Sequence, residues 1–315
     1  MRKLQCEVCG SPDVVKVADN MFQCQYCGCK YTLEQVRTIV FSGEVTTKAS
    51  DFEIVGGKLV KYNGADTVVA IPDTITVIGN GAFENCSGIT EVTIPSGVKL
   101  IEAKAFSGCT FLRTVSIPNT VTVIGPECFK NCTSLGNIVI PDSVKILGHD
   151  NPDYRYRDWE SVFRGCTSLK KVQLSRNIKY IGQWTFYGCT ALKEIVIPEG
   201  VETIHWDAFE DCTNLEKITL PTSLAEFYDS STPRRGGFSK NLAIVEGNSK
   251  VLLDALGIRP DKLLADEWSW CPVFAQKYVE QLLTERRIKK KCPNCGGNLY
   301  RFLNKTECTK CRRVY

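Results

Sequence analysis

Apolar positions recur along most of this chain with a single period. Phenylalanines stand at 83, 106, 129, 163, 186 and 209, and each is followed three residues later by a cysteine, at 86, 109, 132, 166, 189 and 212. Successive cysteines lie 23, 23, 34, 23 and 23 residues apart, and Phe238 continues the phenylalanine series. Ile-Pro recurs at 71–72, 94–95, 117–118, 140–141 and 197–198, with Leu174-Ser175 and Leu220-Pro221 in the same slot. Within one unit, Ile89, Val92 and Ile94 mark a short strand with one buried face. The proline after it ends the strand, having no N–H to give a ladder. Val98 and Ile101 turn inward again and Phe106 closes the coil. One coil cannot bury its apolar side alone, whereas stacked coils share a core. The pattern therefore predicts a repeat solenoid of short β-strands and irregular coils over residues 49–248.

Two insertions break the phase. Eleven extra residues, about 149–159, lie inside the 34-residue spacing, and six more fall between Tyr228 and Phe238. Both enter after the glycine slot (Gly79, Gly125, Gly148, Gly182) and before the phenylalanine, so both must emerge on one edge of the solenoid. The larger carries Tyr154, Arg155, Tyr156, Arg157 and Trp159, and the smaller carries Arg234 and Arg235. Aromatic and arginine side chains are enriched at binding hot spots, which makes these residues the candidate partner-binding set. Their competing reading is a loop whose tyrosines pack back on the solenoid. Local departures are Glu102 and His205 in the glycine slot, Cys128 before a phenylalanine, and Asn241 at a cysteine position.

Outside the repeats the pattern changes. Thr32 to Phe41 predicts a short helix within a linker over 32–48. Lys250 to Leu256 and Cys271 to Ile288 carry near-helical spacing, and they predict a helical C-terminal cap over 249–290 that closes the open end of the core. At the two ends, Cys6, Cys9, Cys24 and Cys27 form Cys-x2-Cys-x14-Cys-x2-Cys, and Cys292, Cys295, Cys308 and Cys311 repeat the design with a spacer of twelve. A two-residue spacer lets a tight turn aim two sulfurs at one ion, and four soft thiolates favour tetrahedral zinc. An iron centre or a redox dithiol is the competing reading. Two zinc ribbons, 1–31 and 291–315, each with one structural Zn2+, are the expectation. Four protein ligands leave no open position for chemistry.

The remaining composition narrows the function. Seventeen cysteines, an odd number, argue for free thiols and metal rather than a disulfide framework. The N-terminus lacks an apolar h-region and no apolar run approaches the ~20 residues of a membrane helix, so the expectation is a cytoplasmic protein without a membrane partner. Net charge is +4, yet residues 286–315 hold ten Lys or Arg and one acid, leaving the rest at −5. Arg286, Arg287, Lys289, Lys290, Lys291, Arg312 and Arg313 are the candidate nucleic-acid contacts, since phosphate attraction needs only such density. The bland reading is a solvated helix end. The chain has two histidines. His149 opens the larger insertion, beside Asp150, and His205 sits within a coil. No phosphate-cradling loop or nucleophile elbow is present, so neither an enzyme nor a small-molecule substrate is inferred.

The repeated Ile-Pro, Val-x-x-Ile-Gly and Ala-Phe-x-x-Cys-x-x-Leu segments resemble the BspA-like type of bacterial leucine-rich repeat, over roughly residues 52–248. Phe52 to Tyr62, followed by Asn63-Gly64, looks like the leader that opens such arrays. The resemblance implies a leucine-rich repeat solenoid, and its members are often secreted surface proteins. The reading that follows is a non-catalytic protein-interaction scaffold, with nucleic-acid binding through the ribbons and the basic tail as the alternative.

Overall fold

The computed structural model describes residues 48–148, 161–228, 238 and 241–255, together with the short segments 3–4, 14–18, 21–24, 30–32, 38–39, 273–275, 277, 287–291, 298–302 and 305–308.

Each coil contributes two short strands and a tight corner. The first strands run from Val68–Ala70 to Ile244–Gly247, the second from Val77–Ile78 to Glu226–Tyr228. Neighbouring coils pair in parallel and in register, so Val92 lies opposite both Val69 and Val115, and Leu100 opposite Val77 and Val123. An offset of 23 keeps each inward side chain above its equivalent, and this turns a sequence period into a continuous core. The proline ending each first strand places its carbonyl to start the next corner, as in Val98 N–H to Pro95 O at 3.1 Å and Val121 N–H to Pro118 O at 3.1 Å. Where serine replaces proline, the buried Ser175 hydroxyl donates to Val144 O at 2.6 Å and accepts from Asn177 N–H at 3.1 Å.

The third side of each coil carries the phenylalanine. The N–H groups of Phe83, Phe106, Phe129, Phe163 and Phe186 each reach a carbonyl of the following coil at 2.7–2.9 Å. Their rings form a file, with centroids 5.0–5.6 Å apart and planes within 14° from Phe83 to Phe209. Such offset stacks add about 0.5–1.5 kcal/mol per pair beyond the area they bury. Phe129 and Phe163 stack at 5.6 Å and 4°, so the eleven-residue insertion leaves the file unbroken.

The repeat cysteines are buried from Cys109 to Cys212. Beyond filling space, Cys109, Cys132, Cys166, Cys189 and Cys212 each donate a thiol hydrogen to the phenylalanine carbonyl of the preceding coil at 3.0–3.2 Å. The same carbonyl accepts the backbone N–H of its own coil's cysteine, as in Cys109 N–H to Phe106 O at 3.2 Å. Both lone pairs are thus used.

At the N-terminal end a hairpin, Phe52–Val55 with Lys58–Tyr62, turns on Gly56 and Gly57, both at positive φ, and extends the second-strand sheet. At the other end the helix Ser249–Ala255 (α1) buries Leu252 and Leu253, and the helical residue Phe274 donates its N–H to Leu242 O at 2.9 Å.

Three expectations change. Thr38–Ile39 is a strand paired antiparallel with Lys3–Leu4, and Thr32 ends the strand Lys30–Thr32, so the linker over 32–48 is not one helix. The β-branched run Thr38-Ile39-Val40 suits pairing better than a helix. Likewise Arg287–Lys291 is a strand against Asn298–Phe302 rather than a helix end, because Leu299, Tyr300 and Phe302 offer a β-forming partner. The C-terminal sheet therefore begins by residue 287, not at 291. In the last coil, Phe238 stacks on Phe209, an offset of 29, while Ile244 pairs with Lys217, an offset of 27. Leu242 fills the slot of Leu215, so the coil is two residues short and Asn241 does not stand at a cysteine position.

Candidate functional site

The Phe-bearing edge has two slots on either side of the ring where the backbone turns left-handed. Two residues before the ring stand Gly81, Lys104, Glu127 and Trp184, at φ of 53–63°. Two residues after it stand Asn85, Gly108, Asn131, Gly165, Gly188 and Asp211, at φ of 58–75°. Glycine takes this conformation freely and Asn or Asp with little penalty, whereas a tryptophan there costs about 1–2 kcal/mol. Gly165 has a second constraint, since a Cβ would sit 2.3 Å from Asn131 Oδ1.

Trp184 belongs to a cluster spanning three coils. Arg164, one residue after Phe163, places its guanidinium 4.9 Å from the Trp184 ring and 5.0 Å from the Tyr187 ring. The two rings meet edge to face at 6.3 Å. Trp184 Nε1 donates to Glu210 Oε2 at 3.1 Å. The Asp211 carboxylate stands beside the Tyr187 hydroxyl and raises its pKa, with desolvation adding in the same direction. The acids of one coil thus fix the polar tips of the aromatics, and the aromatic faces fix the arginine. All three side chains are half-buried.

Elsewhere, cations on the coils pair with acids of a neighbouring coil or two: Lys58 with Glu102, Arg176 with Asp142, Lys179 with Glu202 and Lys217 with Glu246, at 2.6–2.7 Å. Exposed pairs of this kind contribute little stability each. They do account for Glu102 in its glycine slot, where it also accepts Asn80 N–H at 2.8 Å. The Arg164 guanidinium makes no ion pair and donates no hydrogen bond among the described residues. His205, also in a glycine slot, is buried, and its Nδ1 accepts Asp207 N–H at 3.1 Å to cap the short turn Trp206–Phe209.

Of the residues expected to bind a partner, Tyr154, Arg155, Tyr156, Arg157, Trp159, Arg234 and Arg235 lie outside the described residues, as does His149. The described residues stop at Gly148 and resume at Ser161, three residues before Arg164; they stop again at Tyr228 and resume at Phe238. The edge between those points belongs to the coils carrying Gln183–Tyr187 and His205–Asp211. Sequence reasoning singled out neither Arg164, Trp184 nor Tyr187. The available signal was the 23-residue offset that aligns Arg164, Tyr187 and Glu210 in consecutive coils.

Among the expected metal ligands, Cys24 and Cys308 lie on described strands, while Cys6, Cys9, Cys27, Cys292, Cys295 and Cys311 lie outside the described residues. Backbone register is informative at both ends. Two three-stranded antiparallel sheets occur, Val14–Ala18, Met21–Cys24 and Lys30–Thr32 at one end, and Arg287–Lys291, Asn298–Phe302 and Lys305–Cys308 at the other. Cys24 lies opposite Val14, five residues after Cys9, and Cys308 opposite Leu299, four after Cys295. Each hairpin thereby returns the chain to the end at which its first cysteine pair enters. Of the expected nucleic-acid contacts, Arg287, Lys289, Lys290 and Lys291 share one strand; Arg286, Arg312 and Arg313 lie outside the described residues.

With this geometry in place, comparison with known proteins is specific. The family model for the BspA type leucine rich repeat region matches in six copies, over residues 61–151 and 159–232. The chain is similar to the leucine rich repeat protein TpLRR of T. pallidum, with 30% identity and a TM-score of 0.50, covering 56% of this chain and 83% of that one. It is also similar to a leucine-rich repeat protein from Bacteroides ovatus ATCC 8483, with 27% identity and a TM-score of 0.41 over 59% of this chain and 53% of that one. A leucine rich cell surface protein from Faecalibacterium prausnitzii A2-165 gives 25% identity and a TM-score of 0.38 over 62% and 63%. The chain thus spans about half the length of the second and under two thirds of the third. Comparison with curated proteins gives no match.

Proposed function

The chain belongs to the BspA-type leucine-rich repeat family, and from that premise we propose that it is a non-catalytic protein-interaction scaffold whose partner sits on the Phe-bearing edge. The observation that carries this reading is the shared edge. Both departures from the repeat phase fall in sequence between the second strand and the phenylalanine, and the coils between them hold half-buried aromatic and arginine side chains on that edge. Leucine-rich repeats in general serve as protein-interaction scaffolds, and a long rigid surface lowers the ordering cost of binding. The non-catalytic part is supported by His205, whose buried ring is engaged as a cap.

The two four-cysteine sets are proposed to hold one structural zinc each: Cys6, Cys9, Cys24 and Cys27, and Cys292, Cys295, Cys308 and Cys311. The thiolate donor sets and the two hairpin registers fit that ion. When bound, zinc would supply folding energy to sheets too small for a core of their own. Metal analysis of the purified chain should give two zinc ions, falling to one in Cys24→Ser; a metal-free, folded chain would refute the assignment. Residues 249–286 are proposed to cap the solenoid through α1 and Phe274. The cytoplasm is proposed as the compartment, on the free-thiol reading of the cysteine pattern. A second reading, nucleic-acid binding, draws on the basic strand Arg287–Lys291.

Affinity capture from cytosol, with and without nuclease, separates the two readings. The scaffold reading expects captured protein that survives nuclease and is lost when 149–159 is replaced by a short Gly-Ser link. Capture that nuclease abolishes would favour the second reading and overturn the first.

A further inference from the structure

The Arg164 cluster has an unusual electrostatic form. A guanidinium held on two aromatic faces keeps its N–H donors directed outward, and here no acid among the described residues meets them. Two coils further along the same edge, the Asp211 carboxylate is exposed and has no cationic partner among the described residues; its neighbour is the neutral Tyr187 hydroxyl. The coils carrying Arg164 and Asp211 therefore lie about 10 Å apart, taking ~4.8 Å per coil, with the coil of Trp184 and Tyr187 between them. Elsewhere charges two coils apart are joined, as Lys58 and Glu102 are at 2.7 Å. Here the rings hold them apart.

We propose that this strip docks an extended segment of the partner protein, with an Asp or Glu on Arg164 and a Lys or Arg on Asp211, two to four residues apart, and an apolar side chain on the rings between. An extended chain covers ~3.3 Å per residue, which matches the separation. The arginine side chain is already ordered, so its planar fork meets a carboxylate with little further loss of freedom. Trp184 and Tyr187 supply rigid contact area with few rotamers to freeze. A nucleic acid fits poorly, because it has phosphates for Arg164 but no cation for Asp211.

The inference deepens the scaffold reading and rests on it. The test uses the full-length zinc-loaded chain, a displayed library of random twelve-residue peptides, and an oligo-dT of twelve nucleotides as the control probe. Enriched peptides should carry an acid and a base two to four residues apart. For the strongest of them, Arg164→Ala should weaken binding about thirty-fold or more and Arg164→Lys about tenfold, because truncating a buried charge partner or losing the fork removes a directed contact. Trp184→Ala and Asp211→Asn should each cost about tenfold, Asn being compatible with the left-handed backbone at 211. Arg164→Glu should recover binding to a peptide whose acid is replaced by arginine. Thermal melts within a few degrees of the parent show that these variants fold. Enriched peptides without the charge pair, or binding that ignores Arg164→Ala, would overturn the site while leaving the scaffold standing. Arg164-dependent binding of oligo-dT in place of peptide would overturn it in favour of nucleic acid. Failure to enrich any peptide also removes the site, and the nuclease-controlled capture then decides the scaffold separately.

Discussion

Each phenylalanine carbonyl from Phe83 to Phe186 accepts two hydrogens, one from its own coil's cysteine N–H and one from the next coil's thiol. That double use explains why cysteine, rather than alanine or valine, recurs there: it is small, apolar and still a donor. Cys132→Ala should therefore cost about 0.5–1.5 kcal/mol for the bond plus the loss of sulfur packing, and Cys132→Ser less, as read from urea unfolding. The thiols also set the response to alkali. Burial pushes Cys109 and Cys212 from an ordinary value of 9.0 up to about 12, and raises Cys132, Cys166 and Cys189 well above it. The folded state keeps these protons longer than the unfolded state. Their stabilising contribution is complete below pH 9 and is lost as pH rises from there toward 12. Melts under reducing conditions should fall steeply above pH 9, and less steeply in Cys132→Ser; a flat profile to pH 11 would contradict the buried-thiol account.

At the scale of the element, the corner after each ring decides whether a coil closes. Gly165 stands at φ 75° with a prospective Cβ only 2.3 Å from Asn131 Oδ1, whereas a Cβ on Gly88 would meet nothing within 4 Å. Gly165→Ala should cost about 1–2 kcal/mol, and Gly88→Ala should stay within about 0.5 kcal/mol. Equal effects would show that the left-handed corner is not limiting. Truncating a ring inside the file, as in Phe129→Ala, should cost about 3–5 kcal/mol, because rings on both sides lose a partner.

Much of this was legible in the sequence because a repeat states its geometry several times over. Val92, Val98, Ile101 and Phe106 are all buried, as their period requires, and the asparagines and glycines after each ring mark the left-handed corners. Reading failed where a segment lacked a repeat to copy. Thr38–Ile39 forms a strand because a distant segment, Lys3–Leu4, pairs with it, and spacing alone cannot reveal a partner. Phase counting from Phe238 also hid the shortened last coil. The Arg164 cluster was missed for another reason. Arg164, Tyr187 and Glu210 share one slot but differ in residue type, while Trp184 and Asp211 stand in two others, and only stacking brings the five together.

For the whole molecule, the main consequence is that insertion and core are decoupled. The file runs from Phe129 to Phe163 with planes 4° apart despite eleven extra residues between them in sequence. Shortening 149–159 should shift the melting temperature by no more than a few degrees, since loop length enters stability only logarithmically. A large loss of stability would instead place those residues in the fold.

The account's central claim is that a protein partner occupies the Phe-bearing edge between the two insertions. Hydrogen–deuterium exchange of the full chain, free and bound to the nuclease-resistant captured protein, tests it most directly. Slowed exchange over 183–188 and 207–211, and around 164, with little change on the first strands such as Glu91–Thr93 and Glu194–Val196, is the predicted result. Protection confined to those first strands or to the terminal sheets, with the edge unchanged, would contradict it.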